Sequence, residues 1–123
     1  MFLGEYQLKL CGGKVRFPYN KEEVSGFYCY LLGYDDNSHG FITLAADGEK
    51  YNDGDVILVK KLPLAFDGEY MMFSDEMISH LSLKDDTVVF CGVGEFIDIM
   101  SEDEYDKGME YNADLESFLK SII

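Results

Sequence analysis

The chain has 123 residues, enough for one compact domain with a hydrophobic core but too few for two independent ones. Apolar residues make up 47% of it and phenylalanine and tyrosine 15%, which argues against a disordered acidic chain. The net charge of −14 argues against nucleic acid as a partner, because attraction to phosphate requires local positive charge. We expect no membrane-spanning segment, since no run of about 18 apolar residues exists. We also expect no secretion signal, since the N-terminal residues lack a basic region and a long apolar core.

The basic residues are unevenly distributed along the chain. Residues 1–21 hold four basic groups against one acidic group, for a net charge of +3, and residues 22–123 hold a net charge of −17. The four are Lys9, Lys14, Arg16 and Lys21. They are either solvated side chains flanking a strand pair or a binding surface for phosphate groups, and charge alone leaves both readings open.

Alternating apolar residues predict the first strand over Phe2–Leu10. The residues expected to face inward are Phe2, Tyr6, Leu8 and Leu10. Gly12 and Gly13 predict a tight turn, because adjacent glycines accept the positive φ angles that such turns need. Val15–Phe17 is then a returning strand, and Pro18 ends it.

The rest of the first half is predicted to be mostly β-strand. One helical turn fits Lys21–Ser25, and β-prone runs predict strands over Phe27–Leu32 and Gly40–Leu44, separated by a polar turn. Ala45–Gly54 contains several acidic and glycine residues and is expected to be an exposed connection. Val56–Leu62 predicts a further strand.

The second half repeats this order with a clearer helix. Asp67 and Gly68 predict a hairpin turn, and Ser74 is expected to cap a short helix over residues 75–81. Val88–Val93 and Phe96–Met100 predict an antiparallel strand pair.

Two helices are predicted near the C-terminus. Ser101 and Glu104 have capping-box spacing and open a helix that Gly108 ends. A second, amphipathic helix is predicted over residues 111–123, with apolar residues at i, i+3, i+4 and i+7: Leu115, Phe118, Leu119 and Ile122. This apolar stripe suits a core or an oligomer contact better than a membrane anchor, because acidic residues lie beside it.

One segment of the sequence occurs twice, 56 positions apart, at Leu8–Pro18 and Leu64–Ser74. In each copy an apolar run enters a glycine turn and leaves as a second apolar run. Such a unit is too small to bury its own apolar face, so we expect the two copies to close against each other. The copies differ in charge, basic in the first and acidic in the second: Lys14 and Arg16 against Asp67 and Glu69.

No arrangement of residues predicts catalysis or a cofactor. Cys11, Cys29 and Cys91 are odd in number and set in apolar surroundings, which suits free thiols in a reducing cytosol. Of these, we interpret Cys29 and Cys91 as strand-core residues rather than nucleophiles. His39 and His80 have no other ligands at metal-site spacing. We therefore predict no enzyme, no metal, no cofactor and no small-molecule substrate.

At both ends the sequence resembles the MraZ family, bacterial transcriptional regulators of cell-division and cell-wall genes built from two SpoVT-AbrB-type repeats. The start, Met1–Tyr6, is similar to the start of those proteins. The stretches Leu83–Val89, Gly92–Gly94 and Phe96–Ser101, with an acidic-aromatic helix through Tyr105, are similar to the end of their second repeat. The resemblance covers roughly residues 1–110.

This resemblance implies a fold, an assembly and a location. The fold would be mainly β with short helices, a pseudo-dimeric swapped-hairpin β-barrel of AbrB-like type made from two repeats, plus C-terminal helices. The repeats would be residues 1–62 and 63–110, followed by the helix over 111–123. The assembly would be a ring-shaped homo-oligomer that binds DNA in the cytoplasm, associated with the nucleoid.

The resemblance also implies a DNA-binding site in the loop of each repeat. The family motif is Asp-x-x-x-Arg followed by an aliphatic strand and proline, and in the first copy Lys14 stands at the arginine position, four before Pro18. Arg16 is an additional basic residue, and Lys9 would give outer support. In the second copy Tyr70 occupies the basic position, so that motif is absent. The predicted DNA-binding residues are therefore Lys14, Arg16 and Lys9.

The alternative is a module of the same fold that no longer binds DNA. It would form an oligomer and use its acidic surface to bind a basic protein. The missing second motif favours this alternative, and the positive charge in the first copy opposes it.

Overall fold

The structure, a computed structural model, describes residues 1–34, 40–47 and 56–107. Within these ranges the fold is mainly antiparallel β-sheet with short helices. Several predicted features lie outside the described residues: the turn after residue 34, most of the connection over 45–54, His39, Gly108 and the helix over 111–123.

The described residues form two sheets and three short helical segments. The strands are β1 (Glu5–Lys9), β2 (Lys14–Arg16), β3 (Phe27–Tyr34), β4 (Gly40–Ala46), β5 (Val56–Pro63), β6 (Phe66–Asp67), β7 (Tyr70–Met72), β8 (Thr87–Gly92) and β9 (Ile97–Ser101). A 3₁₀ turn spans Lys21–Val24 and helix α1 spans Asp75–Leu81. Residues 102–107 are also helical.

The strand order places corresponding strands of the two halves in equivalent positions. The larger sheet has the order β1-β8-β9-β4-β3-β5, and the smaller has the order β2-β7-β6. In the larger sheet β1 and β5 form the two edges, β8 and β3 lie inside them, and β9 and β4 meet at the centre. β1 thus pairs with β8, far along the chain, and β5 pairs with β3.

The registers of the central pairs follow the same symmetry. In the smaller sheet Val15 lies opposite Met71, the residue 56 positions later, so β2 and β7 are equivalent segments paired antiparallel about this point. In the larger sheet β4 and β9 pair about Thr43 and Asp98, with Ile42 opposite Ile99. The strand pairing of the two halves is thus related by an approximate two-fold axis.

The main hydrophobic core lies between the smaller sheet and one face of the larger one. Val15, Phe17, Met71 and Phe73 of the β2 and β7 segments belong to the same buried cluster as the inner face of the larger sheet. The inner-face residues are Cys29, Leu31, Ile42, Leu44, Val88, Phe90, Ile97 and Ile99. Fully burying one such side chain stabilises the fold by about 1.5–3 kcal/mol. Alternation along each strand explains the pattern, because every second residue faces the core.

Most predicted elements are confirmed. Six of the seven predicted strands appear within two residues of their expected bounds, and the 3₁₀ turn and α1 lie where they were expected. The first strand begins at Glu5, three residues after the predicted Phe2. The caps are also confirmed: the Ser74 hydroxyl accepts from the Met77 amide at 3.3 Å, and the Ser101 hydroxyl accepts from the Glu104 amide at 3.1 Å. No helix in the described ranges is long and apolar enough to cross a membrane.

Three expectations about individual residues were wrong. Tyr6 is 40% exposed rather than inward, because its ring lies at the rim and packs edge-on against Tyr19 with centroids 5.3 Å apart. Ala45 is fully buried and lies in β4 opposite Tyr28, so the exposed connection begins later than predicted. Cys11 is exposed, because it begins the turn at the end of the smaller sheet, although all three cysteines are free as expected.

Candidate functional site

Two glycine turns flank the antiparallel pair of β2 and β7, the first beside the end of β7 and the second beside the end of β2. In the first, Gly12 and Gly13 have φ angles of 61° and 77°, and Cys11 and Lys14 exchange backbone hydrogen bonds of 2.9 and 3.1 Å across them. In the second, Gly68 has the same φ of 61° and joins β6 to β7. Left-handed φ strongly favours glycine, which explains why both copies carry it here. We call Cys11–Arg16 and Asp67–Met72 together the paired tips.

The pairing of β2 with β7 brings the basic tip and the acidic tip side by side. Lys14 Nζ donates a short hydrogen bond to Asp67 Oδ2. Arg16 Nη2 donates to Glu69 Oε2 at 3.3 Å. The antiparallel register about Val15 places Arg16 opposite Tyr70, next to Glu69. Lys14 is opposite Met72, and its side chain reaches Asp67 at the end of β6.

The two ion pairs change the electrostatics of the predicted DNA-binding residues. The hydrogen bond from Lys14 and its positive charge hold the pKa of Asp67 below its ordinary value, so this carboxylate stays ionised beside the lysine. Arg16 and Glu69 have side chains 71% and 76% exposed, so both remain accessible to solvent while they contact each other. Each predicted cation of the tip thus has an anion within contact distance.

Lys9 does not join Lys14 and Arg16. It lies on β1 in the larger sheet, where its Nζ donates to Thr87 Oγ1 at 2.6 Å and lies 3.9 Å from Asp85 Oδ2. The register of β1 with β8, which places Lys9 opposite Thr87, explains this contact. The structure therefore brings together two of the three predicted residues, and Lys9 belongs to a separate polar group.

Lys21, the fourth basic residue of the first 21, also contacts the second tip. Its Nζ donates to the carbonyl oxygen of Gly68 at 3.0 Å and lies 6.0 Å from the centroid of the Phe66 ring. The 3₁₀ turn that begins at Lys21 carries it to the second tip. Periodicity could not have found this contact. The Asp67 and Glu69 partners, by contrast, were available from the 56-residue offset and the opposite charges of the copies.

Other basic residues of the described chain are also matched by carboxylates. Lys60 Nζ lies 2.9 Å from Glu76 Oε1, and Lys84 Nζ lies 2.8 Å from Asp103 Oδ2. Lys61 contacts Asp47 and lies 4.2 Å from the centroid of the Tyr28 ring. With 24 acidic residues against 10 basic ones in the sequence, this internal matching leaves a surplus of carboxylates.

Nothing in the described ranges assembles a metal or nucleophile site. No group of three or more His, Cys, Asp or Glu side chains there could hold a metal ion. Burial raises the pKa of the Cys29 thiol to about 12 and that of Cys91 to about 11, which keeps both in the unreactive thiol form. His80 Nε2 lies 2.7 Å from the carbonyl oxygen of Leu32, a structural contact.

The paired tips border a surface depression of about 620 Å³ that is open to solvent. It is lined by Cys11, Lys14, Asp67, Gly68, Glu69 and Tyr70. Its lining contains both signs of charge, so it suits neither a simple anion nor a simple cation. No protein-family model, no curated protein and no solved structure matches this chain.

Proposed function

We propose that this protein is an interaction module that binds a basic protein partner through its acidic surface. One observation carries the proposal: the basic tip of the first half is matched, residue by residue, by the acidic tip of the second half. Because the basic residues are matched internally, the surplus carboxylates give the surface the negative charge that would attract a basic partner. This is the alternative function expected from the sequence, and the geometry favours it over DNA binding.

The fold that goes with this proposal is the swapped-hairpin β-barrel of two AbrB-type repeats. It is supported by the pairing of β1 with β8 of the second repeat, and by the pairing of β2 with β7 about Val15 and Met71, which are 56 positions apart. The resemblance to MraZ proteins adds self-association into a ring to this proposal. The mass of the particle in solution would give the number of subunits.

The matched tips weaken the case for DNA in a specific way. A phosphate that contacts Lys14 or Arg16 must displace Asp67 or Glu69, and the displaced carboxylates stay on the same tip. The Debye length is about 8 Å at physiological salt, so a carboxylate in direct contact with the cation is not screened from the phosphate. The attraction on which DNA binding depends is therefore opposed at its own site.

DNA binding through Lys14 and Arg16, with Lys9 as support, is the second candidate, in a regulator of the MraZ type located at the nucleoid. It is favoured by the exposure of the Arg16 pair and by its single 3.3 Å contact. Exposed ion pairs contribute little to stability and exchange partners readily, so a ring could offer several arginines to one duplex.

One titration separates the two functions. The full-length protein is titrated at low salt with fluorescent duplex DNA carrying its own promoter, and separately with a disordered peptide alternating lysine and serine. We expect salt-sensitive binding of the peptide and none of the DNA. The double variant Asp67→Asn with Glu69→Gln frees the basic tip and is expected to gain DNA binding, while Glu95→Gln with Asp106→Asn removes the same charge elsewhere as a matched control.

If the wild type retains DNA in a salt-sensitive manner, and Lys14→Ala with Arg16→Ala abolishes that retention at unchanged oligomer size, the DNA-binding candidate is correct. Absence of binding to any lysine peptide would reject the interaction module.

A further inference from the structure

The two edge strands of the larger sheet differ in how well they are protected. β1 has five residues, and its exposed positions include the polar Glu5, Gln7 and Lys9. Charged residues on a short edge strand discourage another strand from pairing there. β5 has eight residues and exposes three consecutive apolar ones, Ile57, Leu58 and Val59, by 44%, 50% and 58%.

The three exposed apolar residues lie on a strand with one unpaired edge in the described chain. Within the described chain, β5 pairs with β3 alone. The register shifts between Leu31, opposite Lys60, and Leu32, opposite Leu58, so Val59 is an extra residue without a partner in β3. Ile57 and Leu58 lie in the regular part of the strand, where successive side chains point to opposite faces, so they expose apolar surface on both sides of the sheet. An open apolar edge of this length is a template for an added strand.

We propose that the β5 edge is the docking site for an extended segment of the partner, in which basic residues alternate with apolar ones. This inference rests on the proposed function and names where and how the basic partner binds. Backbone hydrogen bonds to β5 would provide the pairing, and the apolar residues of the segment would cover Ile57, Leu58 and Val59.

Charge complementarity selects a basic segment over a second copy of this chain. The lysines of β5 are already matched, Lys60 by Glu76 and Lys61 by Asp47, so the strand itself adds little repulsion toward a cation. Glu76 begins α1 and holds Lys60, and the neighbouring exposed Asp75 offers a carboxylate to the incoming segment. A second copy would instead bring another net charge of −14 to this edge, so the ring of the proposed function would form through another face of the chain.

The test uses a fluorescent peptide that alternates lysine and valine and matches the eight residues of β5. A second peptide has the same sequence with N-methyl groups on two adjacent central residues, whose amide groups point to opposite edges of an extended chain. Binding to the full chain is measured by fluorescence anisotropy. Leu58→Lys alters the edge, and Val93→Lys is its matched control, since Val93 is 51% exposed and lies between β8 and β9.

We expect the N-methylated peptide to bind the wild type about tenfold more weakly, because the added methyl groups remove backbone hydrogen bonds. Leu58→Lys is expected to weaken the unmethylated peptide by a similar factor, and Val93→Lys to leave it near the wild-type affinity. Equal binding of both peptides, or equal loss in both variants, would overturn the β5 site while leaving the proposed function intact. A wild-type oligomer that dissociates in Leu58→Lys would assign the edge to a second copy and also overturn it. Failure of the lysine–serine peptide to bind would reject the proposed function itself.

Discussion

The two tips of the smaller sheet each turn at a glycine and have opposite charge. Gly12 and Gly68 share a φ of 61°, and the buried Val15 and Met71 face each other across the two-fold register. The exposed positions beside them are basic in one copy and acidic in the other. The comparison teaches that the buried and glycine positions maintain the fold, whereas the exposed positions are free to diverge and determine what the site can bind.

The largest effect is expected where the two tips meet in the core. Met71→Ala removes a fully buried side chain opposite Val15, and we expect the free energy of unfolding to fall by about 2–5 kcal/mol, since the cavity cannot close completely. Met72→Ala is the control, because Met72 is 42% exposed, and it should change stability by less than about 0.5 kcal/mol. Urea unfolding measures both. A similar loss in the two variants would refute the role assigned to the Val15–Met71 contact.

A smaller and equal effect is expected at the two turns. Gly12→Ala and Gly68→Ala each force an L-residue to a φ of 61°, where an added Cβ meets no atom within 4 Å, so backbone strain is the only cost. We expect each to lower the free energy of unfolding by about 1–2 kcal/mol. Denaturant curves of the two variants should therefore coincide. A clear difference between them would mean that the tips are not equivalent.

The smallest effect is expected from the charges. Lys14 stabilises the ionised form of Asp67, so the folded protein binds a proton there less readily than the unfolded chain does. The resulting stabilisation is present above the ordinary pKa of 3.8 and is lost as the pH falls through the lower folded value. In Lys14→Met, the carboxyl pKa of Asp67 measured by NMR should rise toward 3.8, whereas Lys84→Met, distant from the tip, should leave it unchanged. An unshifted pKa in Lys14→Met would contradict the Lys14–Asp67 contact.

Much of the fold follows from local sequence patterns. Alternating apolar residues identify the strands, and Ser74 and Ser101 identify the helix starts, because these patterns depend on neighbours in sequence. These local patterns do not determine which strands pair with each other. Leu8–Pro18 was read as a hairpin, yet apart from an isolated bridge between Cys11 and Lys14, its two strands pair with β8 and β7. Long-range pairing depends on the whole set of buried faces, which no local pattern contains.

The candidate site was predicted in composition but not in its electrostatics. The repeat offset was enough to place Lys14 and Arg16 on one tip and the acidic residues on the other. The contact between the tips requires the register about Val15. Because this contact places carboxylates beside the basic residues, the local net charge falls from positive to nearly zero. A single-residue slip in that register would turn Val15 out of the core, so the register cannot be inferred from charge alone.

The pairing of β1 with β8 has a consequence for synthesis on the ribosome. β1 emerges well before its partner β8, which ends at Gly92, so the hydrogen-bonding edge of β1 stays open until Thr87–Gly92 has been translated. Contacts so distant in sequence form slowly, because the chain must lose the entropy of closing a long loop before the contacts can stabilise it. In a nascent chain stalled before residue 87, β1 would lack its partner strand β8. Its unpaired edge would then be exposed to chaperones or to neighbouring nascent chains.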